Sequence, residues 1–367
     1  MRVALITYST KPRGGVVHTL ALAEALAAIG VDVSVWTLGR GGDRAFFRDV
    51  DPAVTLEVVP FHPRDGESVG ERILRSIDTM AAAFRPADYD VVHAQDCISA
   101  NAVPGGIRTV HHLDAFTTPE LIACHDRAIA QPVALICVSA AVAAEVRTGW
   151  ARTPTVIPNG VDAARFVRAA GPDGSADREY WTTRLGDYIL ALGGIEPRKG
   201  SIDLLEAYAL LRRAGEHDGV RLVFGGGETL FDYRPYRDAF DARARELAIE
   251  PVFLGTIDDP RVPGLVAGSR ALGFVSTKEG FGLAAMEALA AGVPVVARDL
   301  PVLREVFGEA VRYADTPPAI AAQLAAVLSG DAPDPHRGSD LAVSHSWHTA
   351  ALSHLELYRS VLAAEPA

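Results

Sequence analysis

Cysteine is scarce in this chain, with only Cys97, Cys124 and Cys137 among 367 residues. An odd number, widely spaced among apolar or mixed neighbours, makes neither a disulfide framework nor a metal pattern. It suits a reducing compartment, the cytoplasm. All three are expected to be small buried hydrophobes. Long apolar runs are also missing. No stretch approaches the roughly 18 residues that span a bilayer, and Met1-Arg2 leads straight into Val3-Ala4-Leu5-Ile6, so a soluble, unprocessed chain without a transmembrane segment is expected. Positive charge is the scarcer sign: 35 Lys and Arg stand against 46 Asp and Glu, a net −11 at pH 7. That balance speaks against a nucleic-acid binder and weakens any case for strong binding to anionic membranes. There is no Gly-x-Ser-x-Gly nucleophile motif, no solenoid-period repeat and no low-complexity tract beyond alanine richness.

The length allows two or three domains at about 150 residues each. Apolar runs alternate with helical patterns along the whole chain. Residues 2–8 read as a strand, Gly14-Gly15 as part of a loop and 16–29 as a helix, which is a Rossmann-like opening. The glycine pair is not the Gly-x-Gly-x-x-Gly fingerprint, and no acidic residue closes the strand at 31–38, which speaks against a dinucleotide site. Further strands are expected at 54–60, 91–94, 108–110 and 134–139, with a helix at 70–84. Asp88-Tyr89-Asp90 precedes a strand, the wrong end for a ligand in a parallel sheet, and reads as a turn. Residues 169–177 have the most loop-like composition and read as linker or mobile surface. Alternation restarts at 188–192, with strands at 220–224, 252–257 and 271–276. Helical patterns fill 237–247, 318–329 and 347–363.

The most informative stretch runs from Lys278 to Val296. Gly280 and Gly282 punctuate its start, strong helix formers follow, and Gly292 and Pro294 end it. Glu279 precedes the helix and Glu287 lies about two turns later. Glycines admit backbone N–H groups close to a ligand, a helix N-terminus holds phosphate, and ionised carboxylates accept hydrogen bonds from sugar hydroxyls. An Ala-rich core helix with two solvated glutamates accounts for the small residues but leaves the loop without a reason.

Glu279-Gly280-Phe281-Gly282-Leu283, with Glu287 and Ala288-Leu289-Ala290-Ala291-Gly292-Val293-Pro294-Val295-Val296, resembles the signature of retaining glycosyltransferases of family 4. Val156-Ile157-Pro158-Asn159-Gly160-Val161-Asp162 is similar to the stretch that closes that family's first domain. The resemblance implies an α/β fold of the GT-B type, with two doubly wound parallel-sheet Rossmann-like domains facing across a cleft. The domains would span 1–165 on the acceptor side and 166–345 on the donor side, with 346–367 as a helix packing back toward the first.

It further implies that Glu279 contacts the transferred sugar and Glu287 the ribose. Gly280, Phe281, Gly282 and Leu283 would form the donor-phosphate turn. Gly14 and Gly15 would face the phosphates, with a plain tight turn as the alternative. Gly225, within Gly225-Gly226-Gly227-Glu228, would admit the nucleotide, and Thr256 and Ile257 would meet the base. His93-Ala94-Gln95-Asp96 is similar to a family His-Ala-His-Asp stretch with Gln95 in place of the second His. Thr109-Val110-His111 assigns the sugar-pocket histidine to His111, with His112 as local competitor, followed by Asp114.

Lys199 stands where the family grips the diphosphate, but the partner Arg position is Gly194, and Arg198 is the candidate substitute. The 229–236 loop either shapes acceptor choice or caps the next helix. Asn159 and Gly160 suit a turn that fixes the interdomain connection.

The implied reaction is retaining transfer of a sugar from a nucleoside-diphosphate sugar, of UDP or GDP type, to an acceptor hydroxyl. It proceeds by front-face displacement, without a protein nucleophile, metal or further cofactor. The acceptor is a glycan, a lipid-linked sugar or a small molecule. Two alternatives remain: a nucleotide-sugar epimerase of the same architecture, and a non-catalytic sugar-nucleotide binder.

Overall fold

The computed structural model describes residues 1–113, 116, 119–215, 217–227 and 233–364. The chain divides into two units, Met1–Gly160 with the segment from His345 onward, and Val161–Ser344.

The first unit is built on seven parallel strands: β1 (Arg2–Ile6), β2 (Asp32–Arg40), β3 (Val54–Phe61), β4 (Val91–Ala94), β5 (Ile107–Val110), β6 (Ala134–Cys137) and β7 (Thr155–Val156). Their order is β3-β2-β1-β4-β5-β6-β7. β1 is apolar throughout its interior because both of its faces are covered. Val3 and Leu5 pack with Val33, Val35 and Val91 on one face, while Ala4 and Ile6 pack with Leu38 and Ala94 on the other. The first face is covered by the helices Gly14–Ala28 and Trp347–Ala364, the latter burying Ala351 and Tyr358.

The second unit has six parallel strands: β8 (Tyr188–Leu192), β9 (Arg221–Gly225), β10 (Val252–Phe253), β11 (Ala271–Phe274), β12 (Val295–Arg298) and β13 (Arg312–Ala314), in the order β10-β9-β8-β11-β12-β13. In both sheets the order reverses at one point, between β1 and β4 and between β8 and β11. Ligands of open α/β sheets meet the carboxyl ends of strands at such points.

The structure corrects several expectations. Residues 169–177 are not a linker: helix Ala163–Ala170 leads through the 3₁₀ turn Pro172–Gly174 into helix Ser175–Leu185. The glycines there serve close packing, since a Cβ on Gly174 would overlap Ala169. The Arg178 guanidinium bonds the carbonyls of Ala169 and Gly171. Gly14 and Gly15 are the first turn of a helix, not a loop. Val17 N already bonds Arg13 O at 2.8 Å, so helical bonding starts before the side chains become apolar enough to show it.

Cys97 is half-buried at the start of the short helix Cys97–Ala102, whereas Cys124 and Cys137 are buried. Helix Arg234–Glu246 begins within the stretch expected as loop. Residues 228–232 of that stretch, and Asp114, lie outside the described residues. Helices Cys97–Ala102, Pro119–Ala130, Ser201–Ala214, Val262–Ala267, Pro301–Phe307 and Pro335–Ser344 are not among those expected from the sequence. Among the described residues no helix is long and apolar enough to cross a membrane.

Gly160 sits against Trp347, with its missing Cβ position 2.4 Å from the Trp347 nitrogen. Gly160→Ala is therefore expected to push the C-terminal helix off its seat and destabilise the first unit by about 1–3 kcal/mol. A thermal melt that falls by several degrees checks this.

Candidate functional site

The carboxyl edge of the second sheet gathers most of the residues singled out in the sequence. After β8 the chain makes the 3₁₀ turn Pro197–Lys199 and then Gly200, at φ +63°, where a Cβ would lie 2.3 Å from the Val275 carbonyl oxygen. Only glycine lets this loop press against the end of β11, and Thr277 N bonds Arg198 O at 2.7 Å across the seam. The loop after β8 is thereby held beside the loop that carries Glu279.

The side chains complete the junction. Lys199 Nζ donates to Glu279 Oε1 at 2.8 Å, and Arg198 Nη1 donates to the same oxygen at 3.1 Å and to the Lys278 carbonyl at 3.2 Å. The adjacent cations thus converge on one carboxylate, although neighbours in a chain need not face the same way. Burial alone would raise the Glu279 carboxyl. Lys199 and Arg198, with hydrogen bonds from Lys199 and Ser276, outweigh it and bring it down to about 2.

The glycine turn after β9 closes the other side. Gly193 N bonds Gly225 O at 2.7 Å, and Gly226 N bonds Gly255 O at 2.9 Å. A Cβ on Gly225 would strike Ile257 at 2.7 Å, and one on Gly227 would strike the Thr256 hydroxyl at 2.4 Å. Gly225, Thr256 and Ile257 therefore share one junction. A small cavity beneath the strand ends is lined by Gly193, Gly194, Lys199 and Ser276.

Gly280 and Phe281 are buried, and Gly282 at φ +102° caps the helix Leu283–Ala290; a Cβ there would meet the Phe307 ring at 2.8 Å. Glu287 lies one turn into this helix. Burial raises its carboxyl, Arg165 opposes the shift, and Asp259 and Asp162 reinforce it, leaving the group at about 7. Arg165 is ion-paired with Asp259 at 2.9 Å. Sequence reasoning missed this pair, because Arg165 and Asp259 belong to no motif and meet only through the fold.

In the first unit His111 follows β5 and packs over Gly15. Burial, with help from His112, Arg108 and His354, brings its imidazole down to about 3, so it is neutral at neutral pH. His93 is committed to structure, with its ring nitrogens at 2.8 Å from the hydroxyls of Tyr358 and Thr109. Asp96 is also committed, capping helix Cys97–Ala102 through Ser99 N and accepting from Tyr8 N. Gln95 is buried, and neither polar atom of its amide has a protein partner. Asp90, at the amino end of β4, bonds Arg2 as a turn residue would. Among the described residues no group of three or more His, Cys, Asp or Glu is placed to hold a metal ion.

Comparison with known proteins bears on the family and the fold. The model for "Glycosyl transferases group 1" matches residues 185–338, and that for "Glycosyltransferase Family 4" matches residues 12–165. The D-inositol 3-phosphate glycosyltransferase of Jonesia denitrificans is 28% identical, with 82% of this chain and 80% of that one covered. The MMP alpha-(1->4)-mannosyltransferase of Mycolicibacterium hassiacum is also 28% identical, over 99% of both chains. Among solved structures, Anabaena HepE in complex with UDP and glucose superimposes with a TM-score of 0.73 at 18% identity, covering 98% of this chain and all of that one.

The two glutamates should respond oppositely to pH. Glu279 is depressed below its ordinary 4.5, so its ionised form stabilises the fold above that pH, and the benefit disappears as pH falls toward 2. Glu287 is raised, so ionising it opposes folding increasingly between 4.5 and 7. Melting curves from pH 3 to 8 are expected to show Glu279→Gln losing stability most at the neutral end. Glu287→Gln should gain most there.

Proposed function

Because this chain belongs to the family 4 glycosyltransferases, with two Rossmann-like domains of the GT-B architecture, we propose that it transfers a sugar from a UDP or GDP sugar to an acceptor hydroxyl with retention at the anomeric carbon. The observation that carries the reading is the convergence of Lys199 and Arg198 on Glu279 at the switch point between β8 and β11.

The proposed roles follow from charge. Breaking the bond from the anomeric carbon to phosphate oxygen leaves a nucleoside diphosphate whose new charge Lys199 and Arg198 neutralise. The acceptor oxygen bonds to the same carbon from the same face, and its proton passes to the departing phosphate oxygen. Glu279, held ionised, cannot donate a proton, and its part is to accept hydrogen bonds from the sugar. Glu287 takes the ribose hydroxyls. The turn at Gly225 admits the nucleotide, Thr256 and Ile257 meet the base, and Gly280, Phe281, Gly282 and Leu283 present the helix start to the diphosphate. Gly14 and Gly15, in the first turn of their helix, are assigned to the phosphates from the first unit, and His111 to the sugar. Neither a metal nor any cofactor beyond the donor is invoked.

Arg198 takes over the charge that Gly194 lacks, which favours catalysis over a binder that has lost its chemistry. The relatives named as transferases likewise disfavour the epimerase. The three free thiols suit a cytoplasmic setting.

Donor hydrolysis with UDP- and GDP-hexoses tests the proposal. Lys199→Ala and Arg198→Ala are each expected to lower turnover by on the order of a hundredfold. Normal turnover in Arg198→Ala would remove it from the site, and isomerisation of the donor without acceptor would restore the epimerase. Nucleoside diphosphate at about a hundred times its dissociation constant should add roughly 2.7 kcal/mol of stability, a gain that Glu287→Ala should lose.

A further inference from the structure

The half-buried Glu287 carboxyl stands among charges yet is bonded to none of them: among the described residues no hydrogen bond or ion pair engages it. The cation that acts on it is Arg165. That guanidinium is engaged elsewhere. Its Nη1 donates to Asp259 Oδ1 at 3.2 Å, its Nη2 lies 2.9 Å from Asp259 Oδ2, and Nη2 also bonds the Asp259 carbonyl. A planar fork matched to a carboxylate at two points is fixed in direction as well as distance. Three elements of the second unit bring this about. Arg165 lies in the first turn of helix Ala163–Ala170, whose cap Asp162 accepts from Arg165 N at 3.2 Å. The helix dipole opposes a cation there, so the helix itself gives no reason for Arg165. Asp259 starts the 3₁₀ turn Asp259–Arg261, which leads straight into helix Val262–Ala267, and both helices pack against Leu283–Ala290, the helix of Glu287. Arg165 thus has two acids in its field and bonds one.

We propose that Asp259 is a positioning residue for the nucleotide: by fixing Arg165 in a two-point ion pair it keeps that guanidinium off the Glu287 carboxyl, whose oxygens stay open to the ribose hydroxyls. The inference rests on Glu287 taking the ribose, as proposed above, and extends that site to two residues outside every motif. A carboxylate gripped by an arginine fork has few lone pairs left for a diol. Held on Asp259, the Arg165 charge still favours the ionised carboxylate without occupying it. Burial, with Asp259 and Asp162, outweighs that field and leaves the group at about 7. Helix Pro335–Ser344, which packs on Leu289 through Gly338, has its Arg337 paired with Glu309 and brings no cation to Glu287.

Calorimetric titration of the full-length protein with UDP and GDP, and with their 2′,3′-dideoxy counterparts, tests this at about pH 8.5, where Glu287 is ionised. The wild type should bind the tighter of the two diphosphates about tenfold better than its dideoxy form. Asp259→Asn releases Arg165 to turn to Glu287. It should weaken that diphosphate roughly tenfold and leave the dideoxy form within about twofold, a selectivity that general loss of structure would not produce. Adding Arg165→Gln to Asp259→Asn removes the competing guanidinium and should restore binding to within about threefold of the wild type. The Glu287 carboxyl carbon, followed by ¹³C NMR, should titrate near pH 7 in the wild type and lower in Asp259→Asn, because an acid has gone and a cation has closed in. Unchanged diphosphate binding in Asp259→Asn, an equal loss of both ligands, or a loss that Arg165→Gln does not repair overturns the inference and leaves the ribose assignment standing. A dideoxy form bound by the wild type as tightly as its parent would sink that assignment and the inference with it.

Discussion

Close approach of two backbone loops is the constraint on which the second unit's site depends. The loop after β8 can lie against the end of β11 only because residue 200 has no side chain, and the hydrogen bond from Thr277 N to Arg198 O then sets the register of one loop on the other. Given that register, Lys199 and Arg198 both reach Glu279. The same logic recurs on the opposite side, where Gly225, Gly226 and Gly227 bring the backbone after β9 against Gly193 and against Thr256 and Ile257. Side-chain chemistry here is a consequence of where side chains have been omitted.

The first unit solves a different problem. Its helix Gly14–Ala28 and C-terminal helix cover one face of the sheet with apolar residues, yet His18, His93, His354 and Tyr358 are buried between them. Burial in such surroundings holds these imidazoles neutral, and His93 spends both of its ring nitrogens on hydroxyls. A polar interior of this kind gives directional contacts where an aliphatic core would give only volume. Gly160 and Asn159, at the last turn before the chain leaves the unit, both contact this cluster, one by close approach to Trp347 and the other through His18.

Much of the architecture was legible in the sequence because parallel strands buried on both faces are continuous apolar runs, and such short runs at 2–8, 91–94, 188–192 and 271–276 alternate with longer helical patterns. The Glu279-to-Glu287 stretch was legible because helix formers and breakers mark its ends. Residues 169–177 misled because glycine, aspartate and serine read as loop when their role is tight helix packing at Ala169 and Gly174. Arg165, Asp259 and His18 were invisible for a deeper reason: each acts through a partner far away in sequence, and no local pattern encodes a meeting of that kind. The position of Arg198 lay between these cases. Its identity could be read, but its direction required the turn that Gly200 permits.

The charge arrangement around Glu279 bears on how an anionic donor could enter. Glu279 lies between Lys199 and Arg198 and keeps these two cations from repelling one another, while both carry charge that a diphosphate could meet. Because Glu279 stays ionised down to about pH 2, protonation does not release Lys199 and Arg198 at neutral pH, and on the proposed function it is the donor phosphates that draw them away. The freed carboxylate would then be the strongest hydrogen-bond acceptor at the strand ends, positioned beside the place where the sugar must lie if the phosphates occupy the cations. On the proposed function, donor binding is therefore an exchange of partners within a charge cluster that already exists. The loops after β8 and β11 are already held in register by the bond from Thr277 N to Arg198 O, so on that reading the exchange falls on the ion pairs.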